Sequence, residues 1–162
     1  MNQDEAIKLD KIDIKILKAL QANARISNAE LAECVNLSQT PCLRRLRKLE
    51  AQGLIKQYRT QLDRKQLGLQ ISAFVFVKLE RNTAQNGREF EEAVSRLPQV
   101  MECCVLAGRH DYSLRIVTRD LESYERFIKH DLAHVDKVAH IESTIILNQV
   151  LDRAVIDLEK PL

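Results

Sequence analysis

The sequence predicts an α+β chain whose two halves are built differently, and three observations carry that expectation. Within the first 53 residues, polar capping residues precede three short amphipathic runs. From about residue 71, runs of strand-like alternation and of helical period follow one another. Charge divides in the same region: residues 1–68 hold 13 Lys and Arg against 8 Asp and Glu, whereas residues 69–162 hold 12 against 15. With 162 residues, 45% of them apolar, the chain suits one compact domain or two small ones, and small domains favour self-association because each buries less of its surface. No apolar run approaches the roughly 18 residues of a membrane span. The acidic start Met1-Asn2-Gln3-Asp4-Glu5 does not read as a signal peptide. The 4 cysteines include no Cys-x-x-Cys pair, so neither a disulfide framework nor a zinc site is expected. The expectation is a reduced, cytoplasmic protein outside the membrane.

The N-terminal elements are justified by capping chemistry. Asp10 is placed to cap a helix running to about Ala22, with Asp13 at the positive end of its dipole. Leu9 and Ile14 fall at the staple positions, and Ile16, Leu17 and Leu20 continue the apolar face. Ser27-Asn28-Ala29-Glu30 is a capping box with Ile26 and Leu31 as its staple. Asn36-Leu37 makes a short turn, Ser38 is expected to cap a third helix through about Gln52, and Gly53 ends it. Pro41 is tolerated in that helix's first turn.

Two short helices joined by a tight turn, after a supporting helix, form a helix-turn-helix arrangement. At about 100° per residue, Cys42, Leu43 and Leu49 cluster around Leu46 on the buried side of the third helix, and Arg44 and Lys48 point nearly opposite. Thr40 and Arg47 flank one side, Pro41 and Arg45 the other. Residues 37–65 hold 8 basic side chains and 2 acidic ones. This is the electrostatic footprint of a module that binds double-stranded DNA. Ser38, Gln39, Thr40 and Pro41 open the helix. Gln39 and Thr40 suit base edges, Arg44 or Arg45 suits a bidentate guanine contact, and Arg47 and Lys48 suit phosphates. The bland alternative is a solvated basic helix. Residues 54–60 alternate and are expected to form a strand serving as a wing or as the linker out of the domain, carrying Lys56 and Arg59. Asp63 is expected to start a short turn ending at Gly68.

The second half reads strand, helix, strand, strand, helix, strand. Ile71–Leu79 is the first strand, residues 86–97 a helix closed by Pro98, residues 100–107 a second strand and Tyr112–Thr118 a third. Asp120 caps a helix whose apolar face is Leu121, Tyr124, Ile128, Leu132 and Val135, and residues 138–150 form a long last strand. The fold class is therefore α+β, a winged-type helix-turn-helix followed by a ferredoxin-like βαββαβ sandwich. Cys104 and Leu106 alternate with Cys103 and Val105, and Ile146 with Ile145 and Leu147, so both sheet faces read as apolar. Only one is covered by helices, which predicts a homodimer through the other.

The stretch Leu37-Ser38-Gln39-Thr40-Pro41-Cys42-Leu43-Arg44-Arg45-Leu46-Arg47-Lys48-Leu49-Glu50-Ala51-Gln52-Gly53-Leu54-Ile55 resembles the recognition-helix signature of the leucine-responsive regulatory protein (Lrp)/AsnC family. Leu9-Asp10-Lys11-Ile12-Asp13 is similar to the family's opening, and Leu106-Ala107-Gly108-Arg109-His110-Asp111-Tyr112 to its glycine-to-aspartate hairpin. The resemblance covers about residues 8–150. It implies a transcription regulator, nucleoid-associated in the cytoplasm, that responds to an amino-acid effector and uses no other cofactor. It also implies dimerisation through the second domain and assembly to tetramers or octamers. Residues 1–60 are then the DNA-binding domain, 61–69 the linker, and 70–162 the effector-binding and oligomerisation domain. The effector is implied to sit between dimers, near the hairpin and the last strand, in a pocket that includes Leu106, Ala107, Gly108, Asp111, Thr144, Ile145 and Ile146. Arg109 and His110 depart from the family's hairpin and point toward a more polar or acidic ligand.

An amino acid needs an anion for its ammonium, N–H groups for its carboxylate and an apolar wall. Asp111, the Gly108 turn, and Ile146 with Leu106 offer these. Asp111 equally suits bonding within its own turn. Two further classes stay open on the residues. An enzyme similar in architecture to tetrapyrrole decarboxylases needs convergent Arg and His in a large pocket and no basic recognition helix. A metal- or redox-responsive regulator would use His130 and His134 with a third ligand such as His140, or Cys103 and Cys104, whose consecutive strand positions point to opposite faces.

Overall fold

The structure is a computed structural model that describes residues 7–152 and 155–158. The acidic segment at residues 1–5 lies outside the described residues. Two compact units are present: the chain up to Gln61 together with the segment from Asp152, and Leu62–Leu151.

In the first unit, α1 (Lys11–Ala22) starts where Asp10 accepts the N–H groups of Ile12 and Asp13, both at 2.8 Å. Asp13 answers by accepting the Asp10 N–H at 3.3 Å, so the acid expected to act through the dipole also completes a capping box. Ser27 and Glu30 cap α2 (Asn28–Cys34) in the same reciprocal way. Asn36 then takes the left-handed conformation (φ 56°), and the Leu37 N–H returns to the Ala32 carbonyl at 2.9 Å. That closure turns the chain tightly into α3 (Gln39–Ala51). Ser38 holds the cap position of α3, but its side chain makes no capping bond. The third residue of that helix is Pro41, which has no N–H to donate to the hydroxyl. Gly53 (φ 73°) ends α3, with the Leu54 N–H on the Leu49 carbonyl at 3.2 Å. Ile16, Leu31, Ala32, Val35, Cys42 and Leu49 form the buried centre of this unit.

Two expectations fail here. Residues 54–60 form no strand. Alternation alone cannot hold a strand without a ladder partner; Ile55 packs on the helical core and the Tyr58 hydroxyl donates to Glu50 at 2.9 Å. Described residues 152 and 155–158, assigned above to the second domain, group with the first: Gln21 donates to the Ile156 carbonyl at 3.1 Å and accepts the Ile156 N–H at 2.7 Å.

The second unit is a four-stranded antiparallel sheet in the order β2-β3-β1-β4. Its strands are β1 (Ile71–Leu79), β2 (Val100–Val105), β3 (Tyr112–Thr118) and β4 (Val138–Ile145), with α4 (Ala84–Ser95) and α5 (Leu121–Arg126) between them. Ala73, Val75, Val77 and Leu79 of β1 and Tyr112, Leu114 and Ile116 of β3 bury one sheet face against Phe90, Val94, Phe127 and Leu132. The hairpin turn begins after Val105 because Val105 pairs with Tyr112, so β2 stops short of residue 107. β4 stops at Ile145 rather than Val150: β1 begins at Ile71, and only the Ile146 N–H, on the Ser72 carbonyl at 2.8 Å, still finds a partner. Thr83 caps α4, which starts at Ala84, two residues ahead of the expected start. After α5 the helix widens into a π turn at Phe127–Asp131 and a short 3-10 turn at Leu132–His134. The wider turn breaks the 100° phase. Phe127 is buried as a result, while Leu121, expected on the apolar face, is exposed.

The uncovered sheet face is not uniformly apolar. Register places Phe74 beside Arg115 and Thr144, Phe76 beside Ser113 and Glu142, and Glu102 and Cys104 outside Arg115 and Ser113. Cys103 and Cys104 point to opposite faces, as consecutive strand residues must.

Candidate nucleic-acid interface and effector site

The two faces of α3 divide as its sequence period requires. Cys42 and Leu49 are buried, and burial pushes the Cys42 thiol up. Ser38, Gln39, Thr40, Arg44, Arg47 and Lys48 are exposed, and Pro41 is half-buried. The helix start is tied to α2 by Asn28, whose side-chain amide donates to the Gln39 carbonyl at 3.4 Å. The exposed face therefore carries a short polar N-terminal end followed by three exposed cationic side chains.

Arg45 differs from its neighbours. Its guanidinium donates to Asp10 at 2.6 Å and to Asp13 at 2.8 Å. At about 100° from the buried centre line, it lies on the flank that meets the start of α1. The two carboxylates raise its pKa further, while the Asp13 N–H and then the Arg45 guanidinium hold the Asp10 carboxyl below the usual range. An arginine expected to contact guanine is thus committed to the α1 cap. No local sequence signal pairs residues 35 positions apart; only the two acids spaced i, i+3 hint at a basic partner.

The nominated effector residues do not converge within one chain. The hairpin residues Leu106, Ala107, Gly108, Arg109, His110 and Asp111 lie at the end of the sheet where the Asp111 N–H meets the Val77 carbonyl at 2.9 Å. Thr144 and Ile145 pair with Phe74 and Ala73, and Ile146 bonds Ser72. Those contacts lie three to five residues away along β1, about 10–17 Å at strand rise. The Asp111 side chain does not bond within its own turn: one carboxylate oxygen accepts the Leu79 N–H and the other the Asn82 amide, both at 2.8 Å. It pins the β2–β3 hairpin to the loop after β1. The His110 ring lies 5.3 Å from the Phe76 ring at a tilt of 31° and approaches Glu142 at 3.2 Å. Arg109 and Gly108 are exposed and Leu106 half-buried. Asn82 and Glu142, which no spacing rule picks out, are therefore part of the hairpin's surroundings.

Two open grooves occupy other places. One of about 460 Å³ runs between α4 and β2, past Glu91, Val94, Cys103, Val105 and Tyr112. Another of about 490 Å³ lies by Leu69, Gln99, Val117, Arg119 and Ser123. His130 and His134 stack at 6.4 Å on the surface, and among the described residues no group of three or more His, Cys, Asp or Glu can hold a metal ion. No helix among the described residues is long and apolar enough to cross a membrane.

Residues 72–156 match the Lrp/AsnC ligand binding domain, and residues 9–56 match a winged helix-turn-helix DNA-binding domain. The chain belongs to the Lrp/AsnC family of transcriptional regulators. It is 42% identical to the Bkd operon transcriptional regulator of Pseudomonas aeruginosa over 91% of this chain and 96% of that protein. It is 35% identical to the leucine-responsive regulatory protein of Escherichia coli K12 over 88% and 87% of the two chains. A transcriptional regulator of Neisseria meningitidis, solved as its L-Met complex, superposes with a TM-score of 0.88 at 35% identity, over 94% of this chain and 98% of that one. As a member of the Lrp/AsnC family the protein is a regulator and not an enzyme, which removes the decarboxylase alternative. Its basic helical unit is the DNA-binding domain, and its sheet unit the ligand-binding domain.

Proposed function

We propose that the protein binds double-stranded DNA through the exposed face of α3 and regulates transcription in response to an amino acid. The observation that carries this reading is the division of α3: Gln39, Thr40, Arg44, Arg47 and Lys48 stand exposed on a helix whose other side, Cys42 and Leu49, is sealed in the core. Gln39, Thr40 and Arg44 meet base edges in the major groove, with Ser38 and Pro41 at the groove wall, and Arg47 and Lys48 neutralise phosphates. The protein works in the cytoplasm on the nucleoid. Residues 1–60 act as the DNA-binding domain and the sheet unit as the effector-binding and oligomerisation domain.

A homodimer forms through the uncovered sheet face, which exposes Phe74. Two recognition helices then read half-sites about one helical turn, or a multiple, apart. Dimers assemble further to tetramers or octamers. Because Leu106–Asp111 and Thr144–Ile146 lie at opposite ends of one sheet, the effector site combines the hairpin of one copy with the last strand of another. Occupancy of that site shifts the population of assemblies. Arg109 supplies a cation at its rim. The test is sedimentation of the full chain with each of the twenty amino acids, alongside calorimetric titration. Saturable heat from one or a few amino acids, with a change in oligomer size, is the expected result. Heat and size indifferent to all twenty would overturn the effector reading.

A further inference from the structure

We infer that Arg45 is a positioning residue for DNA reading: it fixes α3 against the capped start of α1 and releases no counterion from DNA itself. The inference rests on α3 being the DNA-facing helix. The geometry distinguishes Arg45 from the three cations around it. Its guanidinium bridges two carboxylates, Asp10 at 2.6 Å and Asp13 at 2.8 Å. Arg44, Arg47 and Lys48 are exposed.

The same two acids form the capping box of α1, with Asp10 accepting from Ile12 and Asp13 and Asp13 accepting from Asp10. The cap and the ion pair are therefore one network: the carboxylates cannot turn toward another cation without leaving the helix end they hold. Asp13 is buried, with only 8% of its surface exposed, and a charge so placed needs a fixed partner. Both bonds come from one guanidinium nitrogen, Nη1, so a single charged donor group ties the two acids of the α1 cap to α3. The device sets the angle between α3 and its supporting helix. Base contacts made by short side chains such as Thr40 tolerate little error in that angle.

Simple electrostatics and positioning predict opposite signs for the acids. Asp10 and Asp13 repel phosphate, so if they did nothing else, neutralising them would tighten DNA binding. Asparagine caps a helix as well as aspartate does, so Asp10→Asn and Asp13→Asn remove charge while leaving the cap's acceptors. The experiment measures affinity of the full chain for a selected DNA site across a salt series. It uses Arg44→Ala, Arg45→Ala, Arg45→Lys, Arg47→Ala, Lys48→Ala, Asp10→Asn, Asp13→Asn and the Asp10→Asn/Asp13→Asn pair, at a temperature where circular dichroism shows each variant folded.

Arg45→Ala is expected to weaken binding about tenfold, the scale of one charge-assisted bond, with the slope of log K against log salt unchanged. Arg45→Lys recovers part of that loss. The paired asparagine variant weakens binding as well, and adding Arg45→Ala to it costs nothing further. Arg47→Ala and Lys48→Ala each lower the slope by about 0.9. A slope lowered by about 0.9 in Arg45→Ala, or tighter binding by either asparagine variant, would overturn the positioning role. Slopes unchanged in Arg47→Ala and Lys48→Ala would instead overturn the placement of α3 on DNA.

Discussion

Replacing Gly87 with alanine should destabilise the protein, although alanine is the better helix former, and removing one oxygen atom should reverse the sign. Gly87 sits in the first turns of α4, where a Cβ would stand 2.8 Å from the hydroxyl oxygen of Tyr112. That oxygen cannot swing aside freely. It donates to Glu91 at 2.8 Å, and its ring, 4% exposed, lies 4.6 Å from the Phe90 ring at a tilt of 43°. Forcing a methyl into so close a site costs about 1–3 kcal/mol, whereas glycine to alanine in a helix gains about 1 kcal/mol. The net effect of Gly87→Ala is a loss of about 1 kcal/mol. In a Tyr112→Phe background the colliding atom is gone, so the same substitution should gain up to about 1 kcal/mol. Urea denaturation followed by far-ultraviolet circular dichroism on the four members of this cycle reads both signs. Equal midpoint shifts for Gly87→Ala in the two backgrounds would refute the packing argument.

Asp111→Ala should cost about 1–3 kcal/mol, because the N–H of the buried Leu79 loses its acceptor; Asp111→Asn should recover much of it, both read by urea midpoints. Ser27→Ala should cost about 1 kcal/mol through loss of the α2 capping box, seen as a lowered Tm. Asp10, Glu30, Asp120 and Glu125 have carboxyl pKa values below the usual range, held there chiefly by backbone N–H groups or, for Glu125, by Lys129. Their contribution is full above the unfolded carboxyl range of about 4–4.5 and is lost as pH falls through the native values, so Tm should fall modestly in acid, the groups being exposed to solvent. Burial first, then a glutamate neighbour, pushes the Tyr58 and Tyr112 phenols up to about 12. Stability should therefore be full below about pH 10 and fall as pH rises from there toward 12, less steeply in Tyr112→Phe.

The parts of this structure legible in the sequence are those set by neighbours a few residues apart. Asp10, Ser27, Asn36 and Gly53 announce the helix ends because caps act within one turn, and the burial of Cys42 and Leu49 follows from helical period. What was not legible depends on distant partners. Residues 54–60 alternate like a strand yet find no ladder, and β4 stops where β1 begins. The π turn at Phe127–Asp131 shifts the phase of the last helix, so a fixed-angle projection missed Phe127. Asp111 meets Asn82 across the sheet end, and Arg45 meets Asp10 and Asp13 across the helical unit. Strand register sets the hairpin and the last strand apart within one copy, a separation that residue spacing does not carry.

The most direct measurement is selection of genomic DNA fragments by the purified full chain, with and without a pool of the twenty amino acids, repeated with an Arg44→Ala/Arg47→Ala/Lys48→Ala variant. The account predicts that the protein enriches a discrete set of pseudo-palindromic sites, that the amino-acid pool changes their rank or occupancy, and that the triple variant enriches none. Equal recovery of all fragments by the unaltered chain, or the same sites recovered by the triple variant, would contradict it.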